Sequence, residues 1–194
     1  LARAARTETE IVLAADRRIG QNFAATWAQL TQEIFGVRPA LSMTDDHRVQ
    51  NAALPAEKIA EFLDRIEFKS GLEAGQNPGA PRWAWSNPAW KIAFLRGVVD
   101  ASAHFHRTPA LILEGLSPRR LQSAQRLLES LGRAPKSGES GSLRIEGRES
   151  LESYYRQVGT TNLKLRDQLR AFFGPGEGGP AVGGGGRRRQ DRRR

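Results

Sequence analysis

FLRGVVDASAHFH, residues 94–106, changes its period part-way along. Leu95, Val98 and Val99 recur at helical spacing, and Gly97 and Ala101 lie four apart on one face of the same helix. From Ala103 the pattern alternates, which predicts a strand carrying His104 and His106 on one side. Glycine in a helix interior costs about 1 kcal/mol relative to alanine, so an ordinary amphipathic helix with incidental small residues explains Gly97 less well than a face that allows close backbone approach. One acid, Asp100, sits near the end of the helical pattern. Whether it is catalytic or structural decides how the rest of the chain is read.

Upstream, residues 7–15 (TETEIVLAA) predict a strand. From Asp16 a helix follows with Ile19, Phe23, Leu30 and Ile34 on its apolar face, Trp27 on the same side and Gly36 at its close. Residues 37–52 predict two short strands around the turn TDDH, and Pro55 opens a helix burying Ile59, Phe62, Leu63 and Ile66. Residues 67–82 form a loop, and the motif helix runs from about Asn87 to Ala101. Downstream, residues 103–107 and 109–115 predict two strands. Ser117 and Pro118 cap a helix with Leu121, Ala124, Leu128 and Leu131, which ends at Gly132. Residues 142–147 pair with 134–138, and two helices follow, one with Leu151, Tyr154, Tyr155 and Val158, the other from Asn162 with Leu165, Leu169 and Phe172 or Phe173.

One plan is thus written twice: helix, two strands, helix, two strands, helix. The second copy is whole over residues 87–173, and the first, within 1–86, lacks its leading helix and part of its first strand. Residues 174–194 are a third region, GPGEGGPAVGGGG followed by RRRQDRRR, whose composition predicts a flexible linker and a basic arm. Six Arg and one Asp in the last eight residues supply +5 of the net +9, so the body is only mildly basic. Such an arm binds phosphates without sequence preference, and a solubilising tail without a role is the bland alternative. The absence of cysteine excludes disulfides and thiolate metal sites. No apolar run reaches the roughly 20 residues of a membrane span and no signal peptide is visible, so the expectation is a cytoplasmic or nucleoid-associated protein without a membrane partner.

LRGVVDASA, residues 95–103, resembles the second motif helix of the LAGLIDADG homing endonucleases, including those embedded in inteins. The flanks are similar too. FLDRIEFKSGLEAGQNPGAPRWAWSNPAWKIAFLRG resembles the family's helix, loop ending in Pro-x-Trp, and motif helix. SLRIEGRESLESYYRQVGTTNLKLRDQLRAF resembles its closing strand, helix and Asn-x-Lys helix, with Lys164 at the lysine position. The resemblance implies an α+β fold of two αββαββα repeats, the first N-terminally truncated, forming a saddle of antiparallel sheets. It also implies motif helices packed side by side through Gly97 and Ala101, and double-stranded DNA as the partner.

In the family the acid at the eighth motif position binds a divalent metal beside the scissile phosphate, one acid coming from each repeat. Here that position is Ser102, while Asp100 holds the sixth position, whose acid is structural. The resemblance therefore implies no confident catalytic residue, no metal ligand and no cofactor as the chain is written, with Mg2+ relevant only if an intact motif is restored. His104 and His106 alone fall short of the three or four ligands a zinc site needs. Polar residues on the strands are the DNA-binding candidates: His104, His106, Arg107, Arg133, Lys136 and Arg144 in the second copy, Arg38 and Arg48 in the first. Arg119, Arg120 and Arg126 read instead as the solvated face of a helix. The leading expectation is a DNA-binding domain with degenerate or lost cleavage activity, from a decayed homing endonuclease or an intein remnant. Two alternatives stay open: a site-specific endonuclease whose acid lies upstream of residue 1, and a non-catalytic regulator or RNA-binding protein on the same fold.

Overall fold

The computed structural model describes residues 2–6, 9–16, 23–66, 79–138 and 141–174. Alternation builds the first sheet: in β2 (Glu10–Asp16) Ile11, Leu13 and Ala15 are buried and the residues between them are not. β2 pairs antiparallel with β1 (Ala2–Arg6) on one side and β4 (Val49–Pro55) on the other, and β3 (Ala40–Met43) adds to β4. α1 (Phe23–Phe35) packs against β2, β3 and β4. Pro55 ends β4, a 3-10 turn (Ala56–Lys58) follows, and α2 (Ala60–Arg65) completes this half.

The second half begins with a four-residue helix, α3 (Trp83–Ser86), whose Trp83 Nε1 donates to the Ile66 carbonyl at 2.9 Å and so ties the two halves together. The Trp83 ring meets Trp90 and Phe94 edge-on. α4 (Pro88–Ser102) starts where Asn87 accepts from the Trp90 N–H and Pro88 supplies the first-turn φ. It runs without a loop into β5 (Ala103–His106), which pairs with β6 (Ala110–Leu113). α5 (Pro118–Ser130) follows, capped by Ser117. Then come β7 (Lys136–Gly138), β8 (Ser142–Glu146), α6 (Arg148–Gln157) and α7 (Leu163–Phe173).

The strand orders are β1-β2-β4-β3 and β5-β6-β8-β7, the same arrangement twice, as the duplication predicts. The cores differ. Leu95 and Val99 of α4, Leu111, Leu113, Leu143 and Ile145 of the sheet, and Leu127, Leu151, Tyr154 and Leu169 of the helices join one continuous cluster. The first half has two smaller clusters, Ile11, Leu54, Ala56, Ile59 and Leu63 in one and Leu13, Ala15, Ala24 and Ala52 in the other, with Trp27 touching both.

Three expectations need correction. The first sheet has a separate opening strand, β1, paired over its whole length, and the expected strand 7–15 corresponds to β2 beginning at Glu10. The run ARAAR hides this because it lacks β-branched or aromatic residues. α1 is turned away from the expected face: Ala24, Ala28 and Thr31 are buried, while Leu30 is 45% and Ile34 67% exposed. Small alanines admit the sheet closely there, and the Thr31 hydroxyl is satisfied by the Trp27 carbonyl at 2.8 Å. Phe62 is also exposed, although its ring packs edge-on against Phe35. Ile19 and the tail from residue 175 lie outside the described residues.

Candidate nucleic-acid interface

The helices cover one side of each sheet, so the strand residues that alternate with the core form the opposite face. In the second sheet this face follows from the register. His104 lies opposite Ile112, Ile112 opposite Arg144, and Arg144 opposite Lys136, giving one row across all four strands. His106, Ala110 and Glu146 make the neighbouring row. His104 and His106 are both exposed, with the His104 Nδ1 3.5 Å from Glu114 Oε1 and the His106 Nδ1 accepting from the Thr108 N–H at 3.2 Å. Arg107 is exposed in the turn between β5 and β6.

Glu146 bridges the two cations of this face. Its Oε1 is 2.8 Å from Arg144 Nε and its Oε2 3.1 Å from Lys136 Nζ. The Lys136 ammonium, and after it the Arg144 guanidinium, hold the Glu146 carboxyl below its usual range. Neither Glu146 nor Glu114 is singled out by the sequence reading. Alternation places Glu146 two residues after Arg144, hence on the same face, and that signal was available.

The other sequence candidates scatter. Arg133 lies on the helical side: it donates to Gln157 Oε1 at 2.7 Å and lines an open depression with Glu149, Glu152 and Arg156. Arg38 is exposed in the α1–β3 connection, and Arg48 is exposed beside Asp46 Oδ2 at 3.6 Å in the β3–β4 turn, so neither is on a strand. Thr44 and the Arg48 N–H bond the Asp46 carboxylate and lower its pKa, which fixes that turn. Arg119 and Arg126 are exposed on α5, as read.

Asp100 is 2% exposed and accepts from the hydroxyls of Thr160 and Thr161 and from the Thr161 N–H at 3.0 Å. Asn162 donates to the Asp100 carbonyl at 3.2 Å, and its side-chain oxygen accepts from the Leu165 N–H at 3.3 Å, capping α7. The acid therefore clasps the α6–α7 connection to the end of α4. Nearby, Arg96 Nε donates to the Val158 carbonyl at 2.6 Å, and the Tyr154 hydroxyl donates to the Gly159 carbonyl. Burial, and then the Asp100 charge, push the Tyr154 pKa well above its ordinary value.

Ser102 is 5% exposed and its hydroxyl donates to the Val98 carbonyl at 2.6 Å, so it is spent inside its own helix. It offers a divalent cation no negative charge. Among the described residues no group of three or more His, Cys, Asp or Glu side chains is placed to hold a metal ion. The described residues around Ser102 therefore do not fit a Mg2+ site of hard carboxylate oxygens. Gly97 is exposed, and a Cβ built there would meet nothing within 4 Å.

Solved structures share this architecture. I-DmoI in complex with DNA and Ca aligns over 89% of this chain and 89% of its own with a TM-score of 0.57 at 14% identity. Mesophilic variants of the homing endonuclease I-DmoI give 88%, 90%, 0.56 and 14%. The chain has the LAGLIDADG homing-endonuclease fold. Within that fold, meganuclease I-SmaMI bound to uncleaveable DNA with a TTGT central four aligns over 88% of this chain and 84% of its own, with a TM-score of 0.54 at 9% identity. No protein-family model and no curated protein matches the chain. Among the described residues, no helix is long and apolar enough to cross a membrane.

Proposed function

We propose that the chain is a duplex-DNA-binding protein of the homing-endonuclease type whose own motif helix has lost the cleavage centre. The observation that carries the first part is the outer face of the second sheet, where His104, Arg144 and Lys136 stand in one row and Arg107 is exposed in the β5–β6 turn. Such a surface suits the major groove, in which each base pair presents a distinct pattern of donors and acceptors. Similarity to solved structures described as complexes with DNA supports the same partner. Ser102, spent on the Val98 carbonyl where the family carries its metal-binding acid, supports the second part. The basic arm at residues 187–194 adds salt-sensitive, sequence-independent attraction to phosphates.

The test is a salt titration of the purified chain against duplex DNA and structured RNA, with and without residues 175–194, in Mg2+ and in Mn2+. The expected result is duplex binding that survives removal of the arm with a shallower salt slope, and both strands intact. Cleavage or nicking by the purified chain would overturn the inactive reading. Preference for structured RNA, or binding that vanishes with the arm, would overturn the sheet as the DNA-binding surface.

A further inference from the structure

Two features set the place of Arg144: a gap that admits its stem and a carboxylate beside its guanidinium. The first is Gly138. It lies opposite Ser142 at the end of the β7–β8 pairing, and its missing side chain leaves room for the Arg144 stem. A Cβ at position 138 would sit 3.0 Å from Arg144 Cδ and 3.2 Å from its Cγ, and would collide with the Ser142 hydroxyl. The second is Glu146, whose carboxylate lies along the Nε edge of the guanidinium while its other oxygen takes Lys136. The Nε atom is shut off from solvent without an aligned hydrogen bond, although the side chain as a whole remains 32% exposed. What remains for a ligand is the far end of the fork, with its two terminal amino groups.

That is the part of arginine that bonds guanine O6 and N7 together. A fork whose stem and near edge are already fixed loses less rotamer entropy on binding than a free one. Among the described side chains, the first sheet offers nothing comparable. The position matching Arg144 in its ladder is Asn51, opposite Ala14 of β2 and Ser42 of β3. Val12, Ala14, Ala40 and Ala53 lie on the same face, and the charged residues of β2 there are the two acids at its ends, Glu10 and Asp16. Arg3 holds a register position on the edge strand β1, opposite Ala14. On the central strands β2 and β4 the outward positions carry no cation.

Resting on the DNA-binding reading above, we propose that Arg144 is a pre-positioned guanine reader, held by Gly138 and Glu146, and that strong base discrimination is confined to the half-site under the second sheet. Arg144 touches the base, while Gly138 and Glu146 are positioning residues. On the first sheet, the outward positions of the central strands β2 and β4 offer the bases no arginine fork.

The experiment is enrichment of duplexes with a randomised core by the intact chain, followed by fluorescence anisotropy on the selected duplex and on its single-base changes. A guanine is expected in one half-site only, and replacing it should weaken binding roughly 5- to 150-fold. Arg144→Lys keeps the charge without the fork and should reduce that penalty to under about 3-fold. Glu146→Gln and Gly138→Ala should shrink the preference as well. Glu146→Gln should at the same time tighten binding to unselected duplex, because a carboxylate is removed from the face. A merely structural role for Glu146 would instead lower both together and would overturn the assignment. A selection without guanine preference, equal preference in two half-sites, or a preference that survives Arg144→Lys would overturn the inference and leave DNA binding standing. Failure to bind any duplex would overturn both.

Discussion

In the second half, the inward residues of the sheet, the motif helix and three further helices meet in one apolar cluster, and a buried acid clasps the last two helices to the first. In the first half, the same strand order encloses two smaller clusters rich in alanine, and Leu30, Ile34, Leu41 and Met43 remain exposed. The outward faces of the central strands diverge in parallel: arginine and glutamate stand on β8 of the second sheet, whereas β2 and β4 of the first carry alanine, valine and asparagine between two terminal acids. A topology can therefore be duplicated while the forces that stabilise it, and the chemistry it displays, are distributed unequally. The second half is expected to be both the stability centre and the recognition surface.

The largest expected effect tests the cores. Leu151→Ala should destabilise the chain by about 2–5 kcal/mol in urea unfolding, toward the upper end because the site is fully enclosed. Leu63→Ala, in the smaller cluster and 8% exposed, should fall near the lower end. Equal losses would break the comparison. Asp100→Ala comes next, at about 2–4 kcal/mol, because it strands the Thr161 N–H and two hydroxyls without an acceptor. Combined with Thr160→Ala the loss should be less than additive, which a double-mutant cycle reads directly.

Gly97→Ala has the opposite sign. With open space beyond its Cα, the substitution should stabilise the chain by about 0.5–1 kcal/mol through helix propensity alone. A loss instead would mean that a second backbone packs there, as the Gly97–Ala101 spacing leads one to expect. The smallest effect concerns the Glu146 clamp. Its folded-state pKa lies below the ordinary 4.5, so the clamp's stabilisation is present above that value and fades as pH falls through the lowered one. A carboxyl titration followed by NMR should place Glu146 below 4.5, and Lys136→Ala should move it back up.

Much of this was legible in the chain, and unevenly. The second half announced itself because its caps and periods agree: Asn87-Pro88, Ser117-Pro118 and Asn162 each sit before an apolar stripe. The role of Asp100 also followed from its place in LRGVVDASA, and the two threonines explain it physically. The first half misled because alanine marks neither face of a helix: α1 buries Ala24 and Ala28 while leucine and isoleucine face out. β1 was missed for want of any residue with strand preference. Among the site candidates, strand alternation put His104 and His106 on one side of β5, and the strand pairing brings Arg144 to that side, whereas Arg133 and Arg48 were judged by charge and proximity to strands alone. Glu146 shows what a search for cations overlooks, since the residue that orders two positive side chains is itself negative.

The chain has three histidines, and they happen to divide the question. His104 and His106 stand on the outer face of the second sheet, and His47 is exposed in the β3–β4 turn of the first half. Carbethoxylation of the intact chain, followed by peptide mass analysis with and without saturating duplex DNA, reports on all three at once. The account predicts that bound duplex slows modification of His104 and His106 strongly and of His47 much less. Unchanged reactivity of His104 and His106 in the DNA-bound protein would contradict it.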